Sequence, residues 1–136
     1  MKTLIRFILT TQLLVISSFG FAQISETQRS EGIPYISGGV GEGETAAILA
    51  EAKQWSLLLE LSQLENGRGM WIFGANIKIT NSTKKIIFDA QANGPYMLIN
   101  LDAGDYLIEA SYQGVAQTRS VSIKTNAPQK ISLFWK

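Results

Sequence analysis

From Trp55 onward, bulky side chains recur at every second residue in short segments separated by turn signals. A period of two belongs to half-buried β-strands and argues against a helical domain over this stretch. Between Met70 and Thr80, Trp71, Phe73, Ala75, Ile77 and Ile79 share one side, while Asn76, Lys78 and Thr80 take the other. Further on, Tyr106, Ile108, Ala110 and Tyr112 alternate with Leu107, Glu109 and Ser111. Asn66-Gly67, Asn81-Ser82-Thr83, Asn93-Gly94-Pro95 and Gln113-Gly114 read as turns. The turns divide the chain into seven expected strands: 55–62, 70–80, 85–90, 96–101, 105–112, 115–124 and 129–135. Such regular spacing predicts a mostly β fold, a seven-strand antiparallel sandwich or small barrel.

Before Trp55 the pattern changes twice. Glu42 to Gln54 is the one helical segment, with glutamates at its start and Lys53 near its end, as the macrodipole favours. Ile48, Ala52 and Trp55 fall on one helical face, which is expected to cover the edge or end of a sheet. Residues 23–43 carry Gly38, Gly39, Gly41 and Gly43 and read as a flexible, Gly-rich arm. Without a preceding βαβ strand or a closing Gly-Lys-Ser/Thr, the arm is not a phosphate loop. Residues 1–22 combine a basic start (Lys2, Arg6), an apolar run from Phe7 to Ile16 and a small-residue end at Gly20-Phe21-Ala22. These are the parts of a secretory signal peptide. Its apolar core, interrupted by Thr10, Thr11 and Gln12, is short for a membrane span, with a retained anchor as the alternative. The expected location is the periplasm or the exterior, with no stable span once the segment is removed.

Composition narrows the chemistry. After removal of residues 1–22, ten basic residues face eleven acidic ones, scattered along the chain. That balance gives no reason to expect a nucleic-acid partner. Cysteine and histidine are both absent. Disulfides, thiolate or imidazole zinc sites, and Ser-His-Asp or Cys-His catalysis are therefore excluded. Asp102 and Asp105 are too few for a calcium loop, so no metal or cofactor is expected. Acid–base work is left to Glu60, Glu65, Asp89, Asp102, Asp105 and Glu109, none of which the sequence pairs with another. The chain is not expected to be an enzyme.

The segment Asn76-Ile77-Lys78-Ile79-Thr80, then Ala92-Asn93-Gly94-Pro95-Tyr96, then Leu101-Asp102-Ala103-Gly104-Asp105-Tyr106 with Ala110 and Gly114 beyond it, is a recognisable order. It resembles the carboxypeptidase regulatory-like domain, a transthyretin-like or prealbumin-like β-sandwich, over residues 55–136. Leu101, Gly104, Tyr106 and Ala110 fit its Leu-x-x-Gly-x-Tyr-x-x-x-Ala run. The whole chain is similar to small exported proteobacterial proteins carrying that domain. The resemblance implies a fold and no activity: residues of a metallopeptidase zinc site have no counterpart here. Gly94, Pro95, Leu101, Gly104, Tyr106 and Ala110 are structural positions in this reading. Gly104 suits a tight bend, and the Tyr106 hydroxyl is expected to find a backbone partner near the turn.

Trp55, Trp71, Trp135, Phe73, Phe88 and Phe134 are expected to fill the core. Tyr35, Tyr96 and Tyr112, with Arg68 and Arg119, are candidate binding residues on one sheet surface. Two functions fit. One is a noncatalytic structural or protein-interaction module of the bacterial envelope, working through a sheet face, an edge strand or the N-terminal arm. The other is a carbohydrate- or small-ligand-binding module using exposed aromatics. The expected partner is an envelope protein or a glycan.

Overall fold

The structure is a computed structural model that describes residues 24–136, so the expected signal segment 1–22 lies outside the described residues. Among the described residues, ten strands and one short helix build two facing sheets. They are β1 (Gln28–Ser30), β2 (Ile33–Gly38), α1 (Glu42–Glu51), β3 (Leu57–Glu65), β4 (Arg68–Trp71), β5 (Asn76–Asn81), β6 (Ile86–Gln91), β7 (Tyr96–Ile99), β8 (Gly104–Tyr112), β9 (Val115–Ile123) and β10 (Gln129–Trp135). Sheet A runs β1-β2-β7-β3-β10, with β4 also paired to β3, and sheet B runs β6-β5-β8-β9.

The β-sandwich class stands, with three corrections to its layout. The strands number ten, not seven, and β10 pairs with β3 in parallel, so sheet A is mixed. The expected strand 70–80 is two strands, β4 in sheet A and β5 in sheet B. Gly74, at a φ of 85°, turns the chain between them. The side-chain phase changes there: Ile72 and Ala75 are buried, while Trp71 and Phe73 are exposed. The third correction concerns residues 23–43, expected as an arm. Residues 28–38 are β1 and β2, joined by a two-residue turn with positive φ at Glu31 and Gly32. The sandwich therefore begins near Gln28 and not at residue 55.

Tertiary burial explains that last difference. Tyr35 enters the inter-sheet core and meets Phe88 edge-on at 5.2 Å, while Ile36 points the other way, under the helix. A strand with both faces buried needs no alternation. The same holds for Leu57-Leu58-Leu59 and Met97-Leu98-Ile99. Their odd-numbered members face sheet B, and Leu58 and Leu98 face α1.

Helix α1, followed by a 3-10 turn at Ala52–Gln54, lies on the outer face of sheet A rather than at a sheet edge or end. Ile48, fully buried, packs with Ile36, Leu58, Tyr96 and Leu98. Burying one such side chain contributes about 1.5–3 kcal/mol. The glycines before the helix serve close approach. A Cβ on Gly94 would sit 2.3 Å from the Gly38 carbonyl oxygen, and one on Gly39 2.5 Å from the Tyr96 ring.

Both seams of the sandwich are tied. At β1/β6 the Ser30 hydroxyl donates to the Asp89 carbonyl and accepts from the Asp89 N–H, each at 2.9 Å. At β9/β10 the Trp135 indole donates to the Val115 carbonyl at 2.9 Å, and the Gln117 amide to the Phe134 carbonyl at 3.0 Å.

Candidate functional site

The expected aromatic core is half correct. Phe88 and Trp135 are buried between the sheets and Trp55 is half-buried beside α1. Trp71, Phe73 and Phe134 are exposed. The five candidate binding residues do not form one surface. Tyr35 is inside the sandwich, its hydroxyl donating to Gln28 at 2.8 Å. Tyr112 packs edge-on against Trp135 at 5.8 Å. Tyr96 is buried on the opposite, helix-bearing side of sheet A. Arg68 is exposed on β4, opposite Glu65, and Arg119 is exposed on β9, opposite Ile108.

The structural positions are occupied as follows. Pro95 accepts the Leu61 N–H at 2.8 Å, buried Leu101 donates its N–H to Ser56 at 2.6 Å, and Ala110 is fully buried. The Tyr106 hydroxyl donates to the Asp102 carbonyl at 2.7 Å, a corner tying the start of β8 to the preceding turn. Burial, then the nearby Asp102 charge, raise the Tyr106 phenol above its ordinary value. Gly104 opens β8 at a φ of 158°, a conformation that residues with a side chain rarely adopt.

The surface with the most developed geometry is a different one. Strand β10 runs along one edge of β3, leaving β7 and then β4 to share the other edge. Register places Trp71, Ser62 and Phe134 in one row across β4, β3 and β10. The inner side of β3 is set by buried Leu57, Leu59 and Leu61, so this row faces outward, beyond the end of α1. Trp71 and Phe134 are 46% and 47% exposed, whereas Ser62 between them is 5% exposed. Two strand spacings separate the aromatic backbones, roughly 9.5 Å. The Ser62 hydroxyl makes no hydrogen bond among the described residues, yet it is not sealed from solvent.

The neighbouring row is Tyr96, Glu60 and Ser132. Glu60 accepts from Lys130 Nζ at 3.1 Å and from the Ser132 hydroxyl at 3.5 Å. Tyr96 meets Trp71 edge-on at 6.4 Å and 66°. Burial raises the Tyr96 phenol above its usual value, the Glu60 charge adds to this and Lys130 opposes it. Leu64, also exposed, continues the outward side of β3. The arrangement is a strip of aromatic rings interleaved with hydroxyls and one internally neutralised carboxylate.

The sequence reading missed this strip, although one signal for it was present. Phe134 shares its parity with Lys130, Ser132 and Lys136, not with buried Leu133 and Trp135 or half-buried Ile131. Trp71 carried no comparable signal, because Gly74 resets the alternation after it.

Two clefts of about 440 and 450 Å³ flank Asn100–Asp102 at one end of the sandwich. The first is walled by the loop Lys124–Pro128, the second by Glu31–Pro34 and Tyr106, whose hydroxyl is committed to Asp102. The carboxylates considered for acid–base work are dispersed. Glu60 is on the outer face of sheet A, Glu109 on the outer face of sheet B, Asp102 in the β7–β8 turn and Asp105 at the start of β8. Among the described residues no three acidic side chains cluster as a metal site would require, and no helix is long and apolar enough to cross a membrane. No protein-family model matches the chain, and no curated protein does.

Proposed function

We propose that this chain is a noncatalytic, exported binding module of the bacterial envelope, with a sandwich of the carboxypeptidase regulatory-like kind. Its working surface is the outward strip of β4, β3 and β10. The observation that carries this reading is the pair of half-exposed rings, Trp71 and Phe134, held across Ser62 by register. Large aromatics are costly to leave in water and are enriched where surfaces dock. Two of them anchored on paired strands present contact area at little entropic cost. The family reading draws support from the Leu101–Ala110 run, the Tyr106 corner and the two-sheet arrangement. The export reading rests on residues 1–22.

Retention of solubilised envelope material on the immobilised protein tests the surface. A Trp71→Ala/Phe134→Ala variant is expected to lose most of it, and Leu107→Ala, an equally exposed side chain on β8, to lose none. Equal retention by wild type and the double variant overturns the assignment.

A further inference from the structure

We propose that Asn66, at the tip of the β3–β4 hairpin, is a site of spontaneous deamidation, and that its isoaspartyl product loosens β4. The chemistry needs an asparagine, the amide nitrogen of the next residue, and water. That nitrogen loses its proton and attacks Cγ of the asparagine side chain. The N–Cγ bond forms, the Cγ–Nδ2 bond breaks, and the side-chain nitrogen leaves as ammonia. Water then opens the five-membered imide at one of its two carbonyls, leaving aspartate or isoaspartate. Glycine in the following position favours the attack, because no Cβ crowds the nitrogen. The chain has two Asn-Gly pairs, Asn66-Gly67 and Asn93-Gly94. Their sequence makes them equals, and the fold separates them.

At the first pair, register joins Glu65 to Arg68 and leaves both turn residues outside the ladder. Both are exposed, and a Cβ on Gly67 would meet nothing within 4 Å. The turn is therefore free to swing through the geometry that ring closure requires. At the second pair the chain is held on every side. The Ala92 N–H donates to the Ala75 carbonyl at 2.7 Å, the Asn93 N–H to the Ser37 hydroxyl at 2.7 Å, and Pro95 accepts the Leu61 N–H at 2.8 Å. Gly94 is buried, with the Gly38 carbonyl where a Cβ would stand. Ring closure there has to break such contacts first. Asn81-Ser82 is held too. Its side-chain oxygen accepts from the Thr83 N–H at 3.1 Å, the Thr83 hydroxyl at 2.8 Å and the Lys85 N–H at 3.0 Å.

The product matters to the sheet. A two-residue turn with both φ positive matches the twist of its strands. Isoaspartate routes the main chain through its own Cβ, which lengthens that turn by one methylene. It also sets a new carboxylate next to Glu65. Strand β4 is four residues long and pairs with β3 alone among the described residues. The turn is thus what holds Trp71 opposite Ser62.

Incubation of the purified protein in mildly alkaline buffer, sampled by peptide mass mapping, tests both parts. The map reads the one-dalton gain from amide to acid and separates isoaspartate from aspartate by retention time. Asn66 is expected to convert about tenfold faster, or more, than Asn93 or Asn81, because those sites must first give up one or two hydrogen bonds. In urea, above the unfolding transition, Asn66 and Asn93 are expected to react at similar rates. Asn66→Gln is expected to remove the acidic form that ion-exchange chromatography resolves from the aged, folded protein. Hydrogen exchange over residues 68–71 should be faster in the isolated isoaspartyl form than in the unmodified protein. Conversion of Asn93 as fast as Asn66 in the folded state, or no conversion of Asn66 there, overturns the site. Unchanged exchange across β4 in the isoaspartyl form overturns the loosening.

Discussion

At the scale of single residues, Tyr106 does the most for the least sequence. Its hydroxyl reaches back four positions to the Asp102 carbonyl, fixing how the chain leaves the β7–β8 turn and enters β8. A phenol used this way must stay protonated. Its ionisation is displaced upward by burial first and by Asp102 second, and that of Tyr96 by burial and then Glu60. A raised acid favours the folded state's neutral form. Below about pH 10 tyrosines are neutral folded and unfolded, and the contribution is fully present. Above it the unfolded chain releases protons that the folded chain retains, so stability falls as pH rises. Urea midpoints measured from pH 8 to pH 11 should therefore decline, and the decline should be shallower in Tyr106→Phe. At pH 8 that variant should lose about 0.5–1 kcal/mol, one partly solvated hydrogen bond. An unchanged alkaline slope would show that the corner is not coupled to folding.

At the scale of elements, turns and close crossings decide the layout. Three hairpins close through two-residue turns with both φ positive: Glu31-Gly32, Asn66-Gly67 and Gln113-Gly114. That mirror-image turn matches the twist of the flanking strands and favours glycine second. Gly94 is a different case, because a Cβ there would press on the Gly38 backbone. Gly114 has open space and only an unfavourable φ of 78°. Gly94→Ala is therefore expected to cost more than Gly114→Ala, about 2–3 kcal/mol against about 1–2 kcal/mol in urea unfolding. The reverse order would mean that β2 and the 92–95 turn separate easily. The Asn66-Gly67 and Gln113-Gly114 turns were legible in the sequence, as were the alternations of β5 and β8. Glu31-Gly32 offered the same signal, but Pro34 and the glycines beyond it speak against a strand. Only burial of Tyr35 on one side and Ile36 on the other overrides them. The outward strip was missed, since Trp71 and Phe134 were both expected in the core, although half of its signal was present. Phe134 stands on the polar parity of β10, yet its approach to Trp71 depends on a parallel pairing between residues some 70 apart, Leu57–Gln63 and Gln129–Trp135. No local pattern encodes that pairing.

At the scale of the whole molecule, the sandwich is closed by its first strands. Removing residues 24–38 would look harmless if they were an arm, but β1 and β2 form one side of sheet A. Their loss strips Tyr35 from Phe88, uncovers the edge of β7, deletes the Ser30–Asp89 seam and takes Ile36 from beneath α1. Two buried side chains alone account for about 3–6 kcal/mol. A domain of this size has only about 5–15 kcal/mol in total. The truncated chain is therefore expected to lose its cooperative urea transition, or to show a midpoint lowered by at least a third, with its near-ultraviolet aromatic signal diminished. A truncated chain that unfolds at the wild-type midpoint would return residues 24–38 to the status of a detachable segment. The consequence for function is direct. Material lost from such a truncation cannot be credited to contacts made by β1 and β2, because the strip on β4, β3 and β10 depends on the same sheet. Point substitutions at Trp71, Ser62 and Phe134 leave that sheet intact and therefore separate recognition from folding.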